Sequence, residues 1–162
     1  MSLVFLILGG NQGNWKEIFS DAIHRIDSQI GQIQLMSSLY KSESWGFDSE
    51  HFVNQIIAIE SPWPPVKILG LCQQIENALG RIRKGDGYEG RTMDIDLLYY
   101  DALVLESPSL QIPHPRIAQR RFVLVPLVEI ASELKDPVTG LSAGEMLKNC
   151  TDPLKVWKIS PD

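Results

Sequence analysis

The most informative stretch for both fold and function is Thr92-Met93-Asp94-Ile95-Asp96-Leu97-Leu98-Tyr99-Tyr100. Its apolar and β-favouring residues predict a strand, and two carboxylates stand two positions apart within it. Side chains at this spacing point to the same face of a strand, about 7 Å apart along it. Two carboxylates held this close repel each other unless a proton or a cation lies between them. The stretch therefore predicts a strand that carries a charged site on one face.

Upstream of this strand, the sequence predicts three more strands and two helices. The strands show continuous or alternating apolar residues, and the helices show apolar residues at intervals of three and four. These predicted elements are a strand over 3–8, a helix over 15–30, strands over 33–45 and 52–60, and a helix over 66–79. With the strand over 92–100, the order is the β-α-β-β-α-β pattern of ferredoxin-like folds. We expect an α+β sandwich in which an antiparallel sheet carries its helices on one face.

The residues after position 100 are punctuated by proline and predict C-terminal additions to this core. Asp101-Ala102 predicts a turn that pairs the strand with residues 103–105 as a hairpin. From Ser107 onward the chain is less regular. Ser142 and Glu145 have the spacing of a capping box, which predicts a short helix ending at Asn149.

Composition places the chain among ordinary globular proteins, with 44% hydrophobic and 22% charged residues. Its 162 residues favour a single domain over 1–162. The net charge of −5 argues against a general nucleic-acid binder. Cys72 and Cys150 suffice for neither a disulfide framework nor a cysteine zinc site, which suggests a reducing compartment. The apolar run at the N-terminus is too short to span a bilayer. We expect a cytoplasmic monomer that binds neither membranes nor nucleic acid.

Positive charge lies on both sides of the acid pair. Arginine forks match phosphate oxygens, and Mg²⁺ takes one or two carboxylates together with phosphate oxygens and water. Taken singly, the acid pair and each basic segment would also fit a solvated surface. Together they favour a polyphosphate site. The basic residues are Arg81, Arg83, Lys84 and Arg91 before or beside the pair, and Arg116, Arg120 and Arg121 in an acid-free stretch over 107–128.

Other motifs narrow the chemistry further. The chain contains no P-loop motif, and no G-x-G-x-x-G turn opens a helix at the loop over 9–14, so we expect that neither standard nucleotide motif holds the phosphates. Glycines at 85, 87 and 90 predict a loop that closes over a substrate. His114 lies between two prolines that restrict its backbone. Cys72 falls on the apolar face of a predicted helix and is interpreted as a core residue. Asn54 shares a strand face with Phe52, where an amide beside an aromatic ring would suit a flat heterocycle.

In this order, the motifs resemble the 6-hydroxymethyl-7,8-dihydropterin pyrophosphokinase family over essentially the whole chain. The most specific are the R-T-x-D-x-D block and the P-H-P segment. The matching pieces lie at 8–14, 52–54, 73, 76, 80–83, 91–98, 112–116 and 120–127. The resemblance implies a ferredoxin-like fold, ATP as the donor and two Mg²⁺ ions. It also implies transfer of the β,γ-diphosphate of ATP to the hydroxymethyl group of 6-hydroxymethyl-7,8-dihydropterin, with release of AMP, in folate biosynthesis.

The resemblance also implies a role for each matching residue. Asp94 and Asp96 would hold both Mg²⁺ ions, and Arg81 and Arg91 would act on the phosphates as catalytic residues. The ATP site would be lined by Gln73, Glu76, Arg83, Leu97, His114 and Arg120. The pterin would be bordered by Ser42, Glu43, Trp45, Phe52 and Tyr88, hydrogen-bonded by Asn54 and stacked on Phe122.

The chain departs from the family in the loop Gly87-Tyr88-Glu89-Gly90. Family members commonly have a basic residue, an aromatic residue and Gly-Pro at this point. Here the basic residue is missing and Glu89 adds a negative charge close to a polyphosphate. We hypothesise slower loop closure or weaker ATP binding than in a typical member. Gly87→Arg should then lower the apparent dissociation constant for ATP, and an unchanged constant would contradict the hypothesis.

Two other classes remain open at this point. A metal-dependent phosphohydrolase would use the same acid pair, but it also needs a water-activating base, which no further carboxylate or histidine cluster marks. A binding module without catalysis would fit a scaffold that hosts many functions. It would have no need for an acid pair, two arginine segments and a P-H-P segment together. The reaction products separate the three classes.

Overall fold

An antiparallel sheet of six strands lies at the centre of the protein. The computed structural model describes residues 1–10, 14–43, 51–80, 82–83, 89–90 and 93–160. The strands are β1 (Ser2–Gly10), β2 (Gln32–Met36), β3 (Tyr40–Ser42), β4 (Phe52–Ser61), β5 (Ile82–Arg83), β6 (Glu89–Gly90), β7 (Asp94–Tyr100), β8 (Leu105–Glu106), β9 (Gln111–Ile112) and β10 (Val156–Lys158). The helices are α1 (Trp15–Gln29), α2 (Pro65–Ala78), α3 (Arg121–Ala131) and α4 (Ala143–Asn149), with a short 3₁₀ helix over Ile117–Gln119.

The sheet has the order β10-β3-β4-β1-β7, and β2 also pairs with β4. All of these pairs are antiparallel, which confirms the predicted pairing. The single strand predicted over 33–45 is wrong, because the chain leaves the ladder between β2 and β3. At this break the Ser37 hydroxyl accepts a hydrogen bond from the Ile56 backbone N–H at 2.9 Å. The Ser37 N–H donates to the Ile56 carbonyl at 2.8 Å, so a side chain replaces one rung of the ladder.

Helices cover both faces of the sheet. The two helices of the predicted core, α1 and α2, share one face as expected, and the helices of the C-terminal additions, α3 and α4, lie on the other. On one face α1 and α2 bury Ile26 and Ile68 against Leu6 of β1. On the other face α3 and α4 bury Leu124 and Met146 against alternate residues of the same strand, including Phe5 and Ile7. Because successive side chains of a strand point to opposite faces, an uninterrupted apolar run can serve two cores.

Helix α3 lies in the stretch that the sequence indicated to be irregular. Proline normally disfavours a helix interior, yet Pro126 lies within α3 and is buried. The residue before the helix, Arg120, makes no side-chain cap. Without a cap, and with a proline inside, the usual sequence signals of a helix are missing. What holds α3 in place is its buried apolar side.

Two shorter predictions have different outcomes. The capping box of α4 is confirmed, because Ser142 Oγ accepts from the Glu145 N–H and the Glu145 carboxylate accepts from the Ser142 N–H. The predicted turn after β7 forms, with Leu103 N–H donating to the Tyr100 carbonyl at 3.0 Å. The hairpin is wrong, because β8 pairs with β9 instead of β7. None of the described helices combines the length and apolarity that a bilayer crossing requires.

Candidate active site

The register of the sheet brings polar residues of β4 and β7 onto the two sides of β1, in one row. Gly9 of β1 pairs with Asp94 of β7 on one side and with Asn54 of β4 on the other. Ile7 pairs with Asp96 in the same way. Directly opposed residues of antiparallel strands share a face. The acid pair and Asn54 therefore lie on the α3 face of the sheet, with Gly9 between them.

Gly9 leaves room for the neighbouring amide. A Cβ atom at this position would lie 2.8 Å from Asn54 Oδ1, closer than side chains normally approach. Asn54 is buried, and its Nδ2 donates to Ser42 Oγ at 3.3 Å. The absent side chain at position 9 and the Ser42 hydroxyl together fix the position of the Asn54 amide.

A cavity of about 290 Å³ opens over this row, and we call it cavity A. Its lining combines the acid pair with other polar groups and with aromatic rings. It is lined by Ile7, Gly9, Ser42, Glu43, Phe52, Asn54, Asp94, Asp96, Arg120, Phe122 and Leu154. A mixture of apolar walls and a few converging polar groups is typical of sites for small flat molecules.

The N-terminus of α3 supplies two of these groups. Phe122 lies in its first turn, and the Arg120 guanidinium carbon lies 5.6 Å from the centre of the Phe122 ring. Arg121 has a different role from its neighbour. Its guanidinium donates to the carbonyls of Asp152 at 3.0 Å and Cys150 at 3.1 Å, which ties α3 to the C-terminal segment.

A second cavity of about 280 Å³, cavity B, begins at Asp96 of the acid pair. It is lined by Leu69, Asp96, Leu97, residues 107–111, His114 and Pro115. Asp96 lines both cavities, so the two cavities adjoin at this residue. The two cavities thus provide separate spaces for two small molecules that would meet at the acid pair.

His114 is held by its backbone at one wall of cavity B. Its N–H donates to the Leu98 carbonyl at 3.0 Å, and its Nδ1 accepts from the Arg116 N–H at 3.4 Å. Burial lowers the pKa of His114, and the charges of Arg120 and Arg116 lower it further, while Asp96 acts in the opposite direction. The imidazole is therefore neutral near pH 7.

Helix α2 contributes less to the two cavities than the resemblance implied. The Glu76 carboxylate accepts from the Ile95 N–H at 2.7 Å, which fixes the backbone of β7 between the two acids. Gln73 is exposed on α2 and lines neither cavity. Burial raises the pKa of Cys72 to about 12, and nearby Glu76 and Asp96 raise it too. The interpretation of Cys72 as a core residue instead of a nucleophile is confirmed.

Several predicted site residues lie outside the described part of the chain. These are Trp45, Arg81, Tyr88 and Arg91, together with Gly87 of the divergent loop. The described residues on either side of that loop form a two-stranded ribbon in which Ile82 pairs with Gly90. Only the backbone of Arg83 and Glu89 is described, in the same ribbon.

The donor set of the acid pair suits Mg²⁺ bound together with a polyphosphate. Asp94 and Asp96 are exposed on one strand face, where further oxygen ligands can reach them. In the described residues, no group of three or more histidines, cysteines or carboxylates could hold a metal by itself. Mg²⁺ uses one or two carboxylates and completes its shell with substrate oxygens and water, so two carboxylates suffice.

Sequence reasoning missed three lining residues of particular interest. Leu154 lines cavity A, while Ser109 and Gln111 line cavity B. None of them belongs to a motif with chemical content, and each comes from a segment without regular periodicity. Their positions follow from how the C-terminal half folds onto the sheet.

Fold and site together define a mixed α/β protein with a two-cavity site built around an acid pair. The chain matches the model of the 7,8-dihydro-6-hydroxymethylpterin-pyrophosphokinase (HPPK) family over residues 5–132, and it belongs to that family.

Similar proteins are found among both sequences and solved structures. A 2-amino-4-hydroxy-6-hydroxymethyldihydropteridine pyrophosphokinase of Porphyromonas gingivalis is 38% identical over 135 residues, covering 81% of this chain and 92% of the relative. The enzyme of the same name from Haemophilus influenzae is 37% identical over 164 residues, covering 99% of this chain and 100% of the relative. The crystal structure of Plasmodium falciparum HPPK-DHPS superposes with a TM-score of 0.73 at 15% identity. It covers 91% of this chain, which spans 44% of that longer chain, and it supports the fold alone.

Proposed function

We propose that this chain transfers the β,γ-diphosphate of ATP to the hydroxymethyl group of 6-hydroxymethyl-7,8-dihydropterin and releases AMP, in folate biosynthesis. One observation carries the proposal: Asp96 lines both cavity A and cavity B. A transfer between two substrates needs both of them at one charge-neutralising centre. Family membership and the names of the relatives supply the substrates.

Cavity A is the proposed pterin site. Asn54 and Ser42 present amide and hydroxyl groups that match the hydrogen-bonding edge of a pterin ring. Phe52 and Phe122 offer aromatic surface for its faces. From the resemblance, Trp45 and Tyr88 complete this site.

Cavity B is the proposed site for the nucleoside of ATP. Leu97 gives it an apolar wall, and neutral His114 offers hydrogen bonds without adding charge. Arg120 lies on the cavity A side of the acid pair, so we assign it to the transferred phosphates instead of the adenosine. Arg81, Arg83 and Arg91 join it from the resemblance, and Gln73 and Glu76 keep their places in the proposed ATP set.

The reaction asks the protein for positioning and charge neutralisation more than for covalent help. Asp94 and Asp96 would hold Mg²⁺, two ions in this proposal, which would neutralise the triphosphate and orient it for in-line attack. The pterin hydroxymethyl oxygen forms a bond to the β-phosphorus while the bond to the α,β-bridging oxygen breaks. AMP leaves with that electron pair, and the hydroxyl proton passes to solvent. Arg120 stabilises charge that develops on the phosphates.

Expectations about the detailed fold, the oligomeric state, the location and the partners of the protein stay predictions. The order of β7, β1, β4 and β3 supports a ferredoxin-like arrangement of the β-α-β-β-α-β core. We also propose that the chain acts as a single-domain cytoplasmic monomer on small molecules alone, without nucleic-acid or membrane partners.

The test is AMP formation from ATP and Mg²⁺, measured with and without 6-hydroxymethyl-7,8-dihydropterin. We expect AMP only when the pterin is present. Phosphate release without pterin would indicate a phosphohydrolase, and neither product would indicate a binding module. Asp96→Asn should abolish AMP formation. The matched control is Asp21→Asn, which changes an exposed aspartate on α1 paired with Arg25 at 3.0 Å and should leave the rate unchanged.

A further inference from the structure

We propose that Leu154 sets the shape of the acceptor site, and that Glu43 and Arg121 are positioning residues that hold the segment 150–155 carrying it. This inference rests on the proposed function, because it takes cavity A to be the acceptor site. Leu154 lines cavity A although it comes from the C-terminal segment, far along the chain from the other lining residues.

One end of the segment is fixed by Arg121, the first residue of α3. Its Nε donates to the Asp152 carbonyl at 3.0 Å, and its Nη2 donates to the Cys150 carbonyl at 3.1 Å. Both carboxylate oxygens of Asp152 accept hydrogen bonds. Its Oδ2 accepts from the Arg121 N–H at 3.0 Å, and its Oδ1 accepts from the Leu154 N–H at 3.0 Å. The Asp152 carboxylate thus links the backbone of Leu154 to the helix that presents Phe122.

The other end is fixed by Glu43, immediately after β3. Its Oε1 accepts from the Lys155 N–H at 2.8 Å, and its own N–H donates to the Lys155 carbonyl at 3.1 Å. Strand β10 then continues this contact by pairing Val156 with Ser42. Glu43 lines cavity A, but one of its carboxylate oxygens is already engaged in holding the C-terminal segment.

Leu154 therefore lies between two anchors along the chain, Arg121 holding residues 150 and 152 before it and Glu43 holding residue 155 after it. A branched apolar side chain held in this way limits the width of the cavity and packs against whatever ring enters it. Truncating it widens the acceptor site without touching the acid pair, so the pterin should bind more weakly while the chemical step is preserved.

The first experiment measures steady-state kinetics of Leu154→Ala with both substrates. We expect the KM for the pterin to rise about tenfold, with kcat within about twofold and the KM for ATP unchanged. Leu154→Met, which nearly conserves volume, should stay close to the wild type. The matched control is Val156→Ala, two residues further on in β10 and not a lining residue of cavity A, which should leave all three constants unchanged. A pterin KM for Leu154→Ala equal to that of the wild type would overturn the role of Leu154.

The second experiment tests whether Glu43 acts through Leu154. If it does, the pterin KM of the Glu43→Ala, Leu154→Ala double variant should match that of the more impaired single variant. If Glu43 bound the pterin itself, the two effects would multiply, and its positioning role would be overturned.

The failure of this inference is distinguishable from that of the proposed function. A wild-type protein that makes no pterin-dependent AMP contradicts the function itself. A wild type that makes AMP beside an unaffected Leu154→Ala variant contradicts only the inference. Circular dichroism and thermal unfolding of each variant establish that it folds before its kinetics are compared.

Discussion

Gly9 is the residue at which a single added methyl group would disturb the candidate site most directly. A Cβ there would lie 2.8 Å from Asn54 Oδ1 but 3.8 Å from the nearest backbone atom outside residues 8–10, the Val53 carbonyl oxygen. The backbone can therefore stay in place while the amide must move. We expect Gly9→Ala to fold and to raise the KM for the pterin about tenfold, because the amide loses its hydrogen-bonding position. Steady-state kinetics at saturating ATP measure this.

Gly70 provides the control for that substitution. It lies in α2, and beyond the backbone of its own helix and its chain neighbours no heavy atom lies within 4 Å of the position that a Cβ would take. Gly70→Ala should leave the KM unchanged and stabilise the fold slightly, since alanine favours a helix over glycine. An unchanged pterin KM in Gly9→Ala would mean that the Asn54 amide does not contact the acceptor.

At the scale of elements, Glu129 of α3 connects three parts of the fold. Its carboxylate accepts from the Ser38 N–H at 2.6 Å and the Ser38 hydroxyl at 2.7 Å, and it lies 3.2 Å from Lys158 Nζ of β10. Although burial alone raises the pKa of Glu129, the hydrogen bonds from Ser38 and Lys158 hold that pKa below its usual 4.5. Burial, together with Glu129, raises the pKa of neighbouring Tyr40 to about 12, so Tyr40 stays protonated.

The lowered pKa of Glu129 fixes the sign of a pH effect. Its contribution to stability is present above pH 4.5 and is lost as the pH falls through the native-state pKa, because the unfolded chain binds the proton more readily. Glu129→Gln cannot titrate at this position. Thermal unfolding should show the wild type more stable near pH 7, with the difference shrinking below about pH 4.5. A difference in Tm that stays constant with pH would contradict this assignment.

The capping box of α4 predicts a substitution that lowers stability and leaves activity unchanged. Ser142 Oγ accepts from the Glu145 N–H at 3.1 Å and satisfies one free donor of the first turn. Ser142→Ala should lower the free energy of unfolding by about 1 kcal/mol. Because Ser142 lines neither cavity, the kinetic constants should not change. Denaturant unfolding together with the AMP assay measures both, and a changed pterin KM would contradict the separation.

The same elements show what sequence reasoning could and could not provide. Strands β1, β4 and β7 and helices α1 and α2 were predictable, because each has a clear apolar period or run. The acid pair followed from spacing along β7 alone. Helix α3 was not predictable, since Pro126 and the missing cap hide it while its stability comes from tertiary packing. Leu154 could not be found for the same reason: hydrogen bonds to distant Arg121 and Glu43 place its segment.

At the scale of the whole molecule, a net charge of −5 would repel a polyphosphate from most of the surface. Phosphate binding therefore has to be local, and basic residues of the acid-free stretch lie beside the acid pair in the fold. Arg120 lines cavity A, and Arg116 acts on the pKa of His114 at cavity B. The overall acidity and the local arginines are compatible because charge at the site, not the sum over the chain, determines what binds there.

The two-cavity arrangement also predicts how substitutions combine. Asn54 lines cavity A alone, while His114 lines cavity B and not cavity A. Asn54→Ala should raise the KM for the pterin about tenfold and leave the KM for ATP unchanged. His114→Ala should raise the KM for ATP about tenfold and leave the KM for the pterin unchanged. In the double variant both constants should rise by the amounts of the single variants, since Asn54 and His114 line different cavities and have different hydrogen-bond partners. Asp96 lines both cavities, so Asp96→Asn should weaken the binding of both ligands. Equilibrium binding of the pterin and of a non-hydrolysable ATP analogue measures this. If His114→Ala raised the pterin KM as much as the ATP KM, the cavities would form one site, and the assignment of one substrate to each cavity would be wrong.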